Sequence, residues 1–130
     1  CDGTPQLDIS HCPDLGPVLI ACAVLKNGAT LKGTNRLKIK ESDRGVAMAQ
    51  ELKKFGVNIE IGDDYITIPQ CKLCTPCESI DCHNDHRIAM SFALLCSVVG
   101  GTLVGAECVK KSYPDFFEHI KKIGIEYKII

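Results

Sequence analysis

The sequence predicts an α/β protein built from two tandem βαβαββ-type repeats, the first over about 7–68 and the second over about 78–130, joined by a linker at 69–77. Three observations carry that prediction. Short segments recur: Ala29-Thr30-Leu31-Lys32-Gly33 is echoed by Gly101-Thr102-Leu103-Val104-Gly105. Likewise, Lys53-Lys54-Phe55-Gly56-Val57-Asn58-Ile59-Glu60-Ile61 is echoed by Lys121-Lys122-Ile123-Gly124-Ile125-Glu126-Tyr127-Lys128-Ile129. Strand-like and helix-like stretches alternate through both copies, and each copy holds one nearly all-apolar helix followed by one amphipathic helix. A repeat of this kind is a supersecondary unit that buries its apolar face against its neighbour. Alternating strands and helices imply helices packed on a sheet.

A short strand at 7–10 leads through Pro13 into an apolar helix at 14–26, with Gly16-Pro17 in its first turn. A strand at 29–33 comes next. Met48, Leu52 and Phe55 recur at helical spacing and Gly56 is a stop signal, which gives an amphipathic helix over 41–55. Strands at 57–61 and 65–68 form a hairpin through Gly62-Asp63-Asp64. The linker at 69–77 contains proline and has no periodicity. The second unit repeats the plan with a strand at 79–82, an apolar helix at 86–99 closed by Gly100-Gly101, and a strand at 102–105. An amphipathic helix carrying Phe116, Ile120 and Ile123 and a last strand after Gly124 complete it. The first helix of each unit, apolar all round, is expected to be buried, and the second to show one apolar face.

With 130 residues, 45% of them hydrophobic, the chain is long enough for one core. Its 15 basic and 16 acidic residues nearly cancel. Without a polybasic run or interleaved aromatics there is no nucleic-acid footprint, so anion binding must be local. No apolar run reaches the length of a membrane span. A soluble, cytoplasmic protein is expected, and a first residue Cys1 points to a piece of something longer. Of nine cysteines, Cys22 and Cys96 sit in apolar helices as small hydrophobes. Cys71, Cys74 and Cys77, with Cys82 and His83 beyond, have a spacing at which thiolates can converge on a metal, although no second CxxC pair completes a zinc framework. A cysteine-rich loop in a reducing compartment is the competing reading.

Charged residues gather where helices begin: Asp14, the run Lys40-Glu41-Ser42-Asp43-Arg44, Asp85-His86-Arg87 and Lys110-Lys111. Helix N-termini offer free N–H groups and a positive dipole end, which suit phosphate or carboxylate. If rotation relates the units, equivalent helix starts share one edge and the clusters converge. Arg44, Arg87 and Lys111 would then form a cationic floor for a small polyanion. Asp14 is either the capping carboxylate of its helix or a base, and Ser42 is a candidate cap. Glu41 beside Lys40 is placed for proton transfer or for a surface salt bridge, and His86 is a proton donor or a cap. Neither Gly-x-Gly-x-x-Gly nor a P-loop is present.

Four stretches, Asp8-Ile9-Ser10-His11-Cys12-Pro13-Asp14, Lys38-Ile39-Lys40-Glu41-Ser42-Asp43-Arg44, Asn84-Asp85-His86-Arg87-Ile88-Ala89-Met90 and Lys111-Ser112-Tyr113-Pro114-Asp115-Phe116-Phe117, closely resemble the EPSP synthase family in order and spacing. The resemblance covers essentially the whole chain but only about the C-terminal third of the family's usual polypeptide. It implies transfer of the enolpyruvyl group of phosphoenolpyruvate to the 5-hydroxyl of shikimate 3-phosphate, a step of aromatic amino acid biosynthesis. It also implies residue roles. Asp14 matches the proton acceptor at the reacting hydroxyl, Glu41 the donor at the methylene carbon, and Lys40 the lysine between the substrates. Arg44, Arg87 and Lys111 match phosphoenolpyruvate-binding cations, with His86 beside them. Arg36 falls where many members place a polar residue, often Asn, near shikimate 3-phosphate.

The fold the resemblance implies has two domains of three βαβαββ repeats each, an inside-out α/β barrel arrangement that closes on substrate without cofactor or metal. This chain would supply two repeats of the C-terminal domain. Its partners would be the two substrates and the N-terminal domain of the same polypeptide, in a monomer, and the fragment alone is expected not to turn over. The sister enolpyruvyl transferase acting on UDP-N-acetylglucosamine is the nearest alternative; Lys-x-Lys-Glu-Ser-Asp-Arg and Asn-Asp-His-Arg favour the shikimate enzyme.

Overall fold

The computed structural model describes residues 4–128. The first half runs β1 (Gln6–Asp8), a 3-10 turn (Pro13–Leu15), α1 (Gly16–Leu25), β2 (Ala29–Lys32), a second 3-10 turn (Asn35–Ile39) and α2 (Arg44–Leu52). A third 3-10 turn, Lys53–Phe55, extends α2, and β3 (Glu60–Ile61) and β4 (Tyr65–Ile68) come after it. The second half runs β5 (Ile80–Asp81), α3 (His86–Val99), β6 (Leu103–Val104), a 3-10 turn (Ala106–Lys111) and α4 (Phe116–Lys122). β1 and β2 pair in parallel, as do β5 and β6, which is the geometry a crossover helix imposes. The hairpin strand β4 inserts antiparallel between β2 and β3, giving the order β1-β2-β4-β3, with Ile61 opposite Ile66.

One apolar core joins both halves. Ile20, Ala21 and Val24 of α1 meet Leu31 of β2, Met48 and Leu52 of α2, Ile66 and Ile68 of β4, and Ile88, Phe92 and Leu95 of α3. At its centre the rings of Phe55 and Phe92 stack with centroids 5.7 Å apart. A smaller cluster of Cys82, Ala89, Cys108 and Val109 lies under the 3-10 turn that precedes α4. The repeat reaches the backbone at Gly33 and Gly105, which occupy equivalent places after β2 and β6 with φ of 73° and 79°. An L side chain resists that left-handed bend, and a Cβ on Gly33 would stand 2.7 Å from that of Ser10.

Several expectations need correction. The predicted helix over 41–55 begins at Arg44, because Asp43 rather than Ser42 caps it: its Oδ1 accepts the Val46 N–H at 3.2 Å. Lys40 to Asp43 is therefore approach loop. The 3-10 turns Asn35–Ile39 and Ala106–Lys111 carry no periodic apolar face and escape the sequence pattern. Lys111 consequently ends a 3-10 turn instead of opening a helix. No strand forms over residues 125–128. Its counterpart β3 is held only by β4, and the second half has no β4 equivalent among the described residues. Ile129, the last residue of the repeated segment, and the boundary of the second unit at 130 lie outside the described residues. Nor are the apolar helices buried all round, since Val18 of α1 is 39% exposed and Val98 of α3 is 60% exposed. The amphipathic α4 buries no residue at all.

Candidate functional site

Arg44, the first residue of α2, is the centre of the charged cluster. Its side chain is 1% exposed, and all three guanidinium nitrogens donate to carboxylates. Nε donates to Asp85 Oδ2 at 2.9 Å and Nη2 to Asp85 Oδ1 at 3.2 Å, Nη1 to Asp14 Oδ1 at 3.0 Å, and Nη2 also to Glu41 Oε2 at 2.7 Å. A buried guanidinium demands such satisfaction, and the forked grip of Asp85 supplies it. Asp85 is itself fully buried. It accepts from Ser42 Oγ at 2.8 Å and, as the cap of α3, from the Arg87 N–H at 3.0 Å.

Around that centre the helix starts converge. Asp14, in the 3-10 turn before α1, lies 3.4 Å from Lys40 Nζ and 4.0 Å from Arg87 Nη2. It does not cap α1, which has no side-chain cap bond; its oxygens go to cations instead. His86 and Arg87 open α3, and His86 Nδ1 and Arg87 Nε are buried with no hydrogen-bond partner among the described residues. Lys111 donates to the carbonyl of Asn84, next to Asp85. Arg36 stands apart, its guanidinium donating at 3.4 Å to the Ser10 carbonyl. Asp14, Lys40, Glu41, Arg44, Arg87 and Lys111 are thus brought to one edge, although Arg44 lies inside a carboxylate cage rather than open as a floor.

This packing sets the electrostatics. Burial pushes the Asp85 carboxyl up, but the bonds from Arg44 and Ser42 outweigh it and hold the group below its ordinary 3.8. Asp14 behaves alike: burial raises it, and Arg44 and Lys40 bring it below 3.8. For Arg44 burial works against the charge, and Asp85, Asp14 and Glu41 more than restore it. These three groups are charged at neutral pH.

Two residues escape the sequence reading. Asp85 stands in one of the charged clusters, but nothing in the sequence marks it as the clamp on Arg44, although an Asp directly before an apolar helix is a cap signal. Glu51 is not singled out by any motif, yet it lies seven residues after Arg44 on the same helix face. The cysteines of 71–82 do not gather: no group of three or more His, Cys, Asp or Glu side chains is arranged to hold a metal among the described residues. Burial pushes the Cys82 thiol up to about 12. A groove of about 360 Å³ between α1, α3 and α4 touches the cluster only at Asp14 and Arg87 and is otherwise mainly apolar, with Val18, Met90, Leu94 and Phe116 in its walls. No helix among the described residues is long and apolar enough to cross a membrane.

The sequence profile of the family EPSP synthase (3-phosphoshikimate 1-carboxyvinyltransferase) matches residues 3–120. The 3-phosphoshikimate 1-carboxyvinyltransferase of Clostridium kluyveri is 43% identical over 123 residues, which are 92% of this chain and 29% of that protein. That of Sulfurisphaera tokodaii is 39% identical over 126 residues, 96% of this chain and 30% of the other. The solved EPSP synthase from Acinetobacter baumannii superposes with a TM-score of 0.74 at 32% identity, covering 85% of this chain and 27% of its own. The chain spans less than a third of the length of these relatives. Its α/β fold is shared with them, and the chain belongs to the EPSP synthase (3-phosphoshikimate 1-carboxyvinyltransferase) family.

Proposed function

We propose that this chain forms part of the C-terminal domain of a cytoplasmic 3-phosphoshikimate 1-carboxyvinyltransferase, with two repeats at about 7–68 and 78–130. In it the 5-hydroxyl oxygen of shikimate 3-phosphate bonds to C2 of phosphoenolpyruvate, and the tetrahedral adduct then expels phosphate. The observation that carries this reading is the convergence of Asp14, Lys40, Arg44 and Arg87, from three separate helix approaches, on one edge. Asp14, ionised at neutral pH, accepts the hydroxyl proton as the new bond forms. Glu41 delivers a proton to the methylene carbon and takes one back when phosphate leaves. Lys40 lies between the substrates, and Arg36 flanks the shikimate 3-phosphate side.

Phosphoenolpyruvate is held by Arg44, His86, Arg87 and Lys111. The unpartnered nitrogens of His86 and Arg87 support this, since buried polar atoms seek partners. Arg44 takes part by exchanging Asp14 and Glu41, whose side chains are 53% and 44% exposed. Water can take up the carboxylates that leave, because each is about half exposed, while buried Asp85 keeps its grip on the guanidinium.

The opposing N-terminal domain of the same monomeric polypeptide supplies the second wall and the closure that excludes water. By itself the 130-residue chain is expected to show no turnover. The test is to co-express it with its upstream coding region and measure phosphate release from both substrates. Activity is expected, falling by orders of magnitude in Glu41→Gln while shikimate 3-phosphate binding persists. Near-normal turnover in that variant removes Glu41 from the mechanism, and absence of phosphate release from the assembled protein defeats the reading.

A further inference from the structure

Two carboxylates are buried among the described residues, Asp85 and Glu51. The proposed anion site uses the first and leaves the second unexplained. Glu51 sits two turns after Arg44 on α2 and faces the same way. Its Oε1 accepts from His83 Nε2 at 2.9 Å, and its Oε2 from the Asp81 N–H at 3.2 Å and from Lys54 Nζ at 2.7 Å. Lys54 in turn donates to the Ser79 carbonyl at 2.8 Å. Helix α2 therefore grips the chain over 79–83, and Glu51 caps the edge of β5 that β6 leaves unpaired.

Immediately beyond that grip the backbone enters a costly conformation. His83 and Asn84 have φ of 53° and 52°, two consecutive left-handed residues that are not glycine. Such a pair persists only where its surroundings over-determine it. Two contacts do so at His83: its N–H donates to Asp81 Oδ1 at 2.8 Å, and its ring donates to Glu51. The turn is also what the site depends on. Through it the Asn84 carbonyl meets Lys111, and Asp85 drops onto Arg44 and caps α3.

We propose that Glu51 is a positioning residue for the anion site: by holding His83 it locks the left-handed His83-Asn84 turn that seats Asp85 on Arg44 and brings Lys111 beside the start of α3. A carboxylate suits this place because three donors converge on two oxygens. An amide must turn one of its own donors toward them, and an apolar side chain takes the partner from the Asp81 N–H and the His83 ring and leaves Lys54 only the Ser79 carbonyl. The inference rests on the reading of Arg87 and Lys111 as cations for phosphoenolpyruvate.

The test compares the 130-residue chain with Glu51→Gln and His83→Asn. Asn tolerates the left-handed turn but is too short to reach Glu51. Hydrogen exchange read by NMR is followed at the amides of 85–87 and at the Arg44 Nε–H, against the amides of β2 and β4 as a measure of global opening and those of β6 and the later turns of α3 as a measure of opening of the second half. In both variants exchange at 85–87 and Arg44 is expected to accelerate about tenfold beyond any change in β2 and β4 and in β6 and the later turns of α3. Phosphoenolpyruvate shifts at Arg87 and Lys111, followed in the chain co-expressed with its upstream region, are expected to need about tenfold more ligand.

A merely structural role predicts that the site and the strands lose protection in step, and that result overturns the proposal. If Glu51→Gln does not fold, His83→Asn decides alone, since its side chain is partly exposed and lies outside the core. Phosphoenolpyruvate failing to perturb Arg87 or Lys111 in the parent chain assembled with its upstream region defeats the substrate reading instead. The exchange comparison still decides whether Glu51 locks the turn.

Discussion

The first half of the molecule is closed and the second is open. β1 to β4 form a four-stranded sheet under α1 and α2, whereas β5 and β6 form a pair and α4 packs with only half-buried side chains such as Phe116 and Phe117. Yet the charged site draws on both: Asp14, Lys40, Glu41 and Arg44 come from the closed half, and Asp85, Arg87 and Lys111 from the open one. The closed half carries the proposed acid–base groups, and the half with less support carries Arg87 and Lys111. The proposed anion affinity is therefore tied to how firmly the second half is docked on the first. Beside the grip of Glu51 and Lys54 on 79–83, two joints hold that docking, the polar clamp of Arg44 on Asp85 and the apolar stack of Phe55 on Phe92.

Breaking the polar joint has the larger expected effect. Arg44→Ala leaves Asp85 buried without its counter-ion, and removing one partner of a buried pair costs about 3–5 kcal/mol. Because the second half has little packing of its own, the loss is expected there first: amides of α3 and β6 lose protection before those of β2 and β4. Urea unfolding monitored at both places checks it, and a single coincident transition would mean that the two halves are one cooperative unit. The apolar joint sharpens the contrast. Phe92→Leu removes the stack but keeps most of the volume and the apolarity, so it is expected to cost about 2 kcal/mol. That loss should appear equally in both halves, since the core cluster belongs to both.

The same contrast explains what is legible in the sequence. Helix α3 can be read over its full span because Asp85 caps it and glycines close it, both local signals. The hairpin at Gly62-Asp63-Asp64 is legible for the same reason. The strand expected after Gly124 fails because a strand needs a partner, and partnership is not written locally. For the site, motif order gives the residues that converge, but the cage around Arg44 is invisible. Its decisive contact spans 41 positions along the chain, and nothing at Arg44 or Asp85 alone shows that each is buried against the other. Glu51 is hidden in the same way, since two of its three partners lie 30 and 32 positions away.

Acid should loosen the polar joint selectively. Asp85 has a folded pKa below its unfolded 3.8, because the bonds from Arg44 and Ser42 outweigh the cost of burial. The stability it contributes is fully present above about pH 4 and is lost as pH falls through the lowered folded value. Asp14 adds to the same trend, weakly, since it is half exposed. Stability measured from about pH 7 down to about pH 2 is expected to fall only below about pH 4, and Asp85→Asn is expected to flatten much of that slope. An unchanged slope in the variant would assign the acid sensitivity to other carboxylates.

The smallest effect is on reactivity, and it reports on the same joint. Cys74 and Cys77 are exposed in the linker and Cys22 on α1, while Cys82 is buried beneath the second half. Burial pushes the thiols of Cys82 and Cys96 up to about 12 and about 11, which leaves almost no thiolate at neutral pH. Alkylation of the native chain is expected to modify Cys22, Cys74 and Cys77 quickly and to reach Cys82 only when the second half opens. The rate at Cys82 is then proportional to the open population. It should rise in Arg44→Ala far more than in Phe92→Leu when the two are compared at matched global stability. Equal rates would mean that the second half opens only with the whole molecule, in which case the polar clamp adds stability without separately governing how the cations are presented.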